Sequence, residues 1–301
     1  MPDEFETGFA YRDPMWHGKG VVLDHPATAA EAIIESGLDW NVSLENIAVN
    51  GIIVPDNYAT VRNSDNTVLG IVGKRYVPYQ NKDLFGFFDL VVEQDAAIYH
   101  TGGSLRNGRI VWLLAKLPAS FYIMGNDQID NYVLLASSHD GSMRITAKLT
   151  YVRVVCMNTL GMALLGSGKN YTIRHTASAS QQMKLVHSLM GITTKRTEEF
   201  NRIANALLRK QIGTKELDGL INYIFPTKLD VNRHLERIVQ LFVESPGILP
   251  GMAGTGWAAF NAMAEYLDYI QDYKEDRLYR NWFGNGESLR RKAIQYILKG
   301  A

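Results

Sequence analysis

Short strand-forming runs joined by glycine-containing turns dominate the middle of this 301-residue chain, between Ala97 and Val155. The turn signals are Gly102-Gly103, Asn107-Gly108, Gly125-Asn126 and Asp140-Gly141. Such dipeptides tolerate the left-handed backbone conformations that tight turns require. Because a parallel crossover needs roughly a dozen residues or more, strands joined in this way must be antiparallel. The sequence therefore predicts a curved antiparallel sheet.

Helical periodicity predicts one helix before these strands and a helical region after them. We expect Asn81 to cap a helix from Asp83 to about Gln94, and a long amphipathic helix to run from Ser180 to Ile212. Further helices are expected near 214–224, 231–244, 256–273 and 287–299. The fold class is therefore α+β. We predict an arm and sheet domain over residues 1–178, and a helical region over 179–301 that packs on the sheet or on a neighbouring subunit.

Composition limits the location and the chemistry of the chain. Hydrophobic residues make up 46% and charged residues 21%, as in ordinary folded domains. The single cysteine, Cys156, excludes an internal disulfide and a zinc site built on several thiolates. The amino terminus lacks the apolar region of a secretory signal, and no apolar run approaches the ~18 residues that span a bilayer. We expect a soluble intracellular protein with no membrane partner.

Charge is distributed unevenly along the chain. The totals balance at 31 basic and 31 acidic residues, but residues 1–100 carry a net −9, residues 101–210 a net +9 and residues 211–301 a net 0. Between Gly141 and Thr197 there are eight Lys or Arg residues and no Asp or Glu. A cationic middle in a neutral chain favours a surface that binds a polyanion, most commonly nucleic acid. A solvated surface that merely lacks acids is the alternative.

Three segments predict on which face of a strand or helix these cations lie. Residues 143–151 alternate, with an apolar face opposite a face that carries Arg144 and Lys148, which we expect to be offered to phosphates. Arg174 lies in a similar stretch. On the long helix, Lys184, Lys195 and Arg202 fall within about 20° of one another at 100° per residue. Candidate nucleic-acid-binding residues are Arg106, Arg109, Arg144, Lys148, Arg153, Lys169, Arg174, Lys184, Lys195 and Arg202.

The number of phosphate contacts can be translated into a salt dependence. If six of these cations each neutralise one phosphate, log affinity for a single strand should fall with log salt at a slope of about −4. Aromatic residues near the cations could stack on bases. They are Trp112, Tyr122, Tyr151 and Tyr171.

The sequence contains few residue patterns that are typical of a catalytic site. Its 7 histidines show no metal-ligand spacing, and no Walker A loop is present. Acids that could bind Mg²⁺ are absent from the cationic segment. We therefore predict no enzyme activity, no metal and no cofactor. The alternatives are a thiol triad of Cys156 with His175 and Asn158, and an enzyme site around His17, Asn81, Cys156 and His175. Cys156, however, lies in an apolar run typical of a buried thiol.

Four ordered motifs resemble a family of unknown function that occurs in phages, prophages and plasmids. They are Trp16–Gly20, Arg75–Asn81, Arg153–Leu160 and Thr255–Tyr266, so the resemblance covers nearly the whole chain. The chain departs from the family after Asp268, where Tyr269 or a near neighbour replaces an expected His. The resemblance implies a mobile-element protein in a bacterial cytoplasm.

That setting, with a sheet followed by helices and no ATPase motif, is similar to the single-strand annealing proteins of the Red-beta, RecT and Erf types. The analogy implies a groove for single-stranded DNA in a ring or filament. We therefore predict an ATP-independent single-stranded DNA-binding and annealing protein that acts in recombination as a homo-oligomer. The alternative is a non-catalytic phage accessory protein that binds a host protein through the acidic first third.

Overall fold

The computed structural model describes residues 6–12, 20–95, 97–153, 158–159, 171–183, 193–271 and 277–299. The fold is α+β, as predicted, with multi-stranded antiparallel sheets and helices in the carboxy-terminal part. None of the helices within the described ranges is long and apolar enough to cross a membrane.

Strands form two sheets. They are β1 (Gly8–Tyr11), β2 (Val21–Leu23), β3 (Val42–Val49), β4 (Ile52–Arg62), β5 (Thr67–Gly73), β6 (Ile98–Leu105), β7 (Ile110–Ile123), β8 (Asp127–Ser138), β9 (Ile145–Arg153), β10 (Asn158–Thr159) and β11 (Tyr171–Ile173). The larger sheet has the order β10-β9-β8-β7-β6-β1-β2, with β11 also paired to β9, and the smaller has the order β3-β4-β5. The β1–β2 pair is parallel.

Most helices lie where periodicity predicts them, with shifts of their ends, but the helix at 277–283 was not predicted. They are α1 (Ala29–Glu35), α2 (Asn81–Asp95), α3 (Thr193–Arg209), α4 (Thr214–Ile224), α5 (Lys228–Glu244), α6 (Gly256–Glu265), α7 (Arg277–Phe283) and α8 (Asn285–Lys299). A π-helical turn, Tyr266–Ile270, continues α6. Residues 184–192 of the predicted long helix lie outside the described residues.

The chain divides into two compact units that are not consecutive in sequence. The first unit comprises residues 1–118, 132–148 and 169–191, and the second comprises residues 119–131, 149–168 and 192–301. Strands β7, β8 and β9 contribute residues to both units.

Local side-chain chemistry fixes the elements of the first unit. Thr28 and Glu31 form a capping box at the start of α1, in which each side chain accepts a hydrogen bond from the backbone N–H of the other. The Arg62 guanidinium binds the carboxylates of Glu6 and Asp65 at 2.8 and 2.7 Å and lies over the Trp40 ring. These contacts fasten the smaller sheet to the amino-terminal segment.

Aromatic packing forms the core of the second unit. The Phe200 ring of α3 contacts Phe121, Tyr151 and Trp257, with ring centroids 4.6 to 6.2 Å apart. The Trp257 indole N–H donates to the buried Asp127 carboxylate at 3.0 Å. Thr255 caps α6 by accepting from the Ala258 N–H.

Candidate nucleic-acid interface

An open groove of about 810 Å³ lies in the first unit. Its walls come mainly from three segments, which are residues 71–76 at the end of β5, 140–144 before β9, and 174–176 after β11. The cations that line it are Lys74, Arg75, Arg144 and Arg174. Its carboxylates are those of Asp56 and Asp140. Cations therefore outnumber carboxylates in the groove, and we call it the cationic groove.

Strand pairing places Arg144 beside Arg174. Ile145 at the start of β9 pairs with Ile173 at the end of β11 in an antiparallel ladder. Arg144 immediately precedes this pair and Arg174 immediately follows it, so both emerge from the same end of the ladder. Directly opposed residues in such a ladder are about 5 Å apart. Two arginines that are 30 positions apart in sequence are thus neighbours.

Backbone contacts bring Arg75 to the same place. The Val77 N–H donates to the His175 carbonyl at 3.1 Å, which fastens the segment after β5 to the segment after β11. Lys74, in the same turn, forms an exposed ion pair with Asp56 at 3.0 Å. By contrast, Arg75, Arg144 and Arg174 are exposed and form no ion pair with any described residue. Three guanidinium groups are therefore available to an anion.

A stacked aromatic pair forms the floor of the groove. The rings of Tyr76 and His175 lie 4.7 Å apart with an interplanar angle of 21°. The Tyr76 hydroxyl donates to the Ser138 carbonyl at 2.8 Å, and burial raises the pKa of this hydroxyl. His175 is only 7% exposed. Burial lowers the pKa of its imidazole to about 4, so the ring is neutral at pH 7.

A second buried histidine supports this floor. The Nε2–H of His139 donates to the Asn81 side-chain oxygen at 2.8 Å, and burial lowers the pKa of His139 to about 3. The Asn81 amide donates in turn to the carbonyls of Leu38 and Trp40. The expectation that Asn81 caps a helix is wrong, because its side chain connects α2 to the segment before β3.

The expectation that the face of β9 carrying Lys148 is exposed is wrong. Its side chain is 3% exposed, and Thr146 and Thr150 on the same face are buried as well. The apolar face is also buried, since Ile145 and Tyr151 are at most 1% exposed. Alternation showed which residues share a face, but β9 is covered on both faces. Lys148 is therefore inaccessible to a phosphate.

The remaining candidate cations are described only in part. Arg106 is half-buried and Arg109 exposed, both on the β6–β7 turn and not among the groove-lining residues described. Arg202 is exposed on α3 and lies 3.8 Å from Glu199. Two further candidates, Lys169 and Lys184, lie outside the described residues. The side chains of Arg153 and Lys195 also lie outside the described part of the chain.

Two expected stacking aromatics are in the core. Trp112 and Tyr151 are at most 1% exposed, which excludes them as platforms for bases, whereas Tyr122 is exposed. Of the residues in the thiol alternative, His17 and Cys156 lie outside the described residues. Within the described part of the chain, no group of three or more His, Cys, Asp or Glu side chains is placed to hold a metal ion.

Sequence reasoning missed Lys74 and Arg75. Both lie in the acidic first third, where a count by thirds hides them. The signal was present in the motif Arg75–Asn81, which we noted only for its resemblance to the family. The motif contributes Arg75 and Tyr76 to the groove. It also contributes Asn81, which accepts the hydrogen bond from His139.

The fold and the groove define an α+β protein with a cationic surface site. Residues 68–287 match the model of a family described as a domain of unknown function, DUF932, and the chain belongs to that family. The match covers the groove segments and most of the helical region. A search of curated proteins finds no match, and a search of solved structures finds none either.

Proposed function

We propose that this protein binds single-stranded DNA in the cationic groove and anneals complementary strands without ATP. The observation that supports the proposal is the convergence of Arg75, Arg144 and Arg174, none of which forms an ion pair with a described residue. Guanidinium groups match phosphate oxygens in geometry and charge, and they stay charged at every physiological pH. Each can therefore replace a counterion on a nucleic-acid backbone.

The size of the groove favours a short stretch of a single strand. A volume of about 810 Å³ is in the range of sites for drug-sized ligands. One groove would therefore hold only a few nucleotides, and tight binding of a long strand requires several grooves in series. For this reason we propose that the protein acts as a homo-oligomer, a ring or a filament, in recombination of a mobile element.

Annealing needs no covalent step in this scheme. Arginines that neutralise one strand reduce its repulsion of a complementary strand. Because the groove is open, bases of a bound strand remain accessible for pairing. The protein would thus accelerate strand pairing through charge screening and through extension of the strand.

Binding and annealing assays test the proposal. We expect Arg144→Ala/Arg174→Ala to weaken binding of an oligo-dT strand about 20-fold at 0.1 M salt, since two phosphate contacts are lost. Annealing of complementary oligonucleotides should slow in parallel. The matched control is Arg237→Ala/Arg291→Ala, which removes two exposed arginines from the second unit. Equal loss in both variants would indicate nonspecific attraction and would reject the groove.

One observation favours a protein partner as the second candidate. The β3–β4 hairpin in the acidic first third carries exposed apolar side chains, with Val49, Ile52 and Ile53 59 to 74% exposed. Exposed apolar groups at one place are typical of contact surfaces. An Ile52→Ser/Ile53→Ser variant that keeps its DNA affinity but loses activity in the host cell would favour this alternative.

A further inference from the structure

Two exposed aliphatic side chains of β5 lie at or beside the cationic groove. Ile71, which lines the groove, is 65% exposed, and Val68 of the same strand is 56% exposed. On β4, Ala59 pairs with Ile71 and Val61 pairs with Val68, and both are half-buried. Directly opposed residues of an antiparallel pair point to the same face of a sheet. These four side chains therefore form an apolar face of the smaller sheet, which we call the apolar strip.

A β-bulge explains why Val68 and Ile71, three positions apart, share this face. The register of the β4–β5 ladder shifts once between their two pairs, so β5 has one residue more than β4 at this point. The extra residue, Leu69, is 1% exposed, and its neighbour Gly70 lies so close to the backbone of Asp140 that a larger side chain would collide with it. The inner face of the sheet is thus packed, whereas the apolar strip faces outward.

Charges on the two sides of the apolar strip favour bases, not phosphates, as its occupant. On one side, Ile71 also lines the cationic groove, where Arg144 and Arg174 are available to phosphates. On the other side, Glu45 of β3 pairs with Ala59, so its exposed carboxylate lies on the same face. A carboxylate repels phosphates, and aliphatic side chains offer them no hydrogen bond. The flat faces of bases are uncharged and can cover this surface.

We infer that bases of a bound single strand pack on the apolar strip while its phosphates bind Arg144 and Arg174, and that this contact selects single strands over duplexes. The inference rests on the proposed function, because it places the bases of the same ligand. In a duplex, pairing and stacking bury the faces of the bases, so only a single strand can present them to a sheet. Ile71 connects the two contacts, since it belongs both to the strip and to the groove.

An abasic strand, which keeps sugars and phosphates but has no bases, tests the inference against oligo-dT of the same length. Covering roughly 50 Å² of apolar protein surface should tighten binding about tenfold. The wild-type protein should therefore bind oligo-dT about tenfold tighter than the abasic strand. Val68→Ser/Ile71→Ser should bind the two strands within about twofold of each other, and its affinity for oligo-dT relative to a duplex should fall about tenfold. Unchanged affinity of this variant for the abasic strand would show that it is folded.

The matched control is Val22→Ser/Ile34→Ser. It also removes one valine and one isoleucine from the first unit, 49% and 61% exposed, and neither lines the groove. This control should keep the tenfold preference for oligo-dT. Loss of the preference in the control as well, or equal weakening of both strands in Val68→Ser/Ile71→Ser, would overturn the inference. An unchanged preference in Val68→Ser/Ile71→Ser, with a lower mass in light scattering, would assign the strip to a contact between copies and also overturn it.

Salt dependence separates the base contact from the phosphate contacts. Val68→Ser/Ile71→Ser should keep the wild-type slope of log affinity against log salt, because it removes no phosphate contact. Arg144→Ala/Arg174→Ala should instead weaken binding of oligo-dT and of the abasic strand alike. Equal affinity of the wild-type protein for both strands, together with this loss in the arginine variant, would reject the base contact and leave the proposed function standing. No binding of either strand would reject both.

Discussion

Polar side chains are used differently in the cationic groove and in the helical part of the second unit. In the helical part, the buried Arg290 guanidinium binds the Asp268 carboxylate, and His234 is hydrogen-bonded to the Tyr266 hydroxyl. In the groove, Arg144 and Arg174 are exposed and form no ion pair with a described residue. Similar side chains thus stabilise the fold at one place and remain available at the other.

Polar side chains therefore have a structural role in the helical part and a binding role in the groove. Buried charges persist in a fold only when a partner compensates their lost hydration. The pair of Asp268 and Arg290 meets this condition within the protein. The groove arginines are exposed and keep their hydration, so they need no partner in the fold and should contribute to binding more than to stability.

The largest effect on stability is expected at the buried ion pair. Asp268→Ala should lower the free energy of unfolding by about 3–5 kcal/mol, because Arg290 would be left buried without its carboxylate. Urea unfolding measures this change. The control Glu199→Ala removes the partner of the exposed Arg202 and should cost less than about 1 kcal/mol. Equal costs would remove the distinction between the two kinds of ion pair.

Acidification should destabilise the protein through the histidines near the groove. His139 and His175 have pKa values of about 3 and about 4 when folded, so the unfolded chain binds more protons below about pH 6.5. Stability contributed by the neutral rings is present above that pH and is lost as the pH falls toward these values. Between pH 7 and pH 5 we expect a loss of about 2 kcal/mol per histidine.

Urea unfolding of the DNA-free protein across this pH range checks the expectation. His175→Gln should lose about half of the pH dependence, since only His139 would remain. A free energy of unfolding that stays constant from pH 7 to pH 5 would contradict the neutral, buried state of both rings.

A smaller effect is expected at the indole of α6. Trp257→Phe should cost about 1–3 kcal/mol, because the buried Asp127 carboxylate would lose a hydrogen bond of 3.0 Å. Thermal unfolding checks this value. The comparison variant Tyr122→Phe removes an exposed hydroxyl 3.4 Å from Gln128 and should change stability by less than about 0.5 kcal/mol. A neutral Trp257→Phe would show that Asp127 is satisfied by other groups.

The smallest effect on stability is expected in the groove itself. Arg144→Ala/Arg174→Ala should change the free energy of unfolding by less than about 0.5 kcal/mol, because both side chains are exposed and have no acidic partner among the described residues. Urea unfolding of the same preparation that is used for binding provides the check. A loss above about 2 kcal/mol would mean that these arginines support the fold.

Sequence patterns predicted elements better than surfaces. The predicted helix at 214–224 has the bounds of α4, and the turn signal Asn107-Gly108 lies between β6 and β7 as predicted. Both features depend on residues that are close together in the chain. The strand β3 was not predicted, because its mixture of polar and apolar residues has no clear period.

The site depends on contacts that sequence spacing does not encode. Lys148 shows the limit, since a period of two assigns it to a face but does not tell whether another layer covers that face. Arg144 and Arg174 were named as candidates, but their proximity depends on the pairing of β9 with β11. His175 was considered only as a member of a thiol site, and its buried place beside the arginines required the folded chain.

The salt dependence of oligo-dT binding tests the central claim most directly, namely that Arg144 and Arg174 contact phosphates in one groove. Each phosphate contact on a single strand contributes about −0.7 to the slope of log affinity against log salt. We predict that Arg144→Ala/Arg174→Ala makes the slope shallower by about 1.4, while Arg237→Ala/Arg291→Ala leaves it unchanged. The same slope in all three proteins would contradict the account.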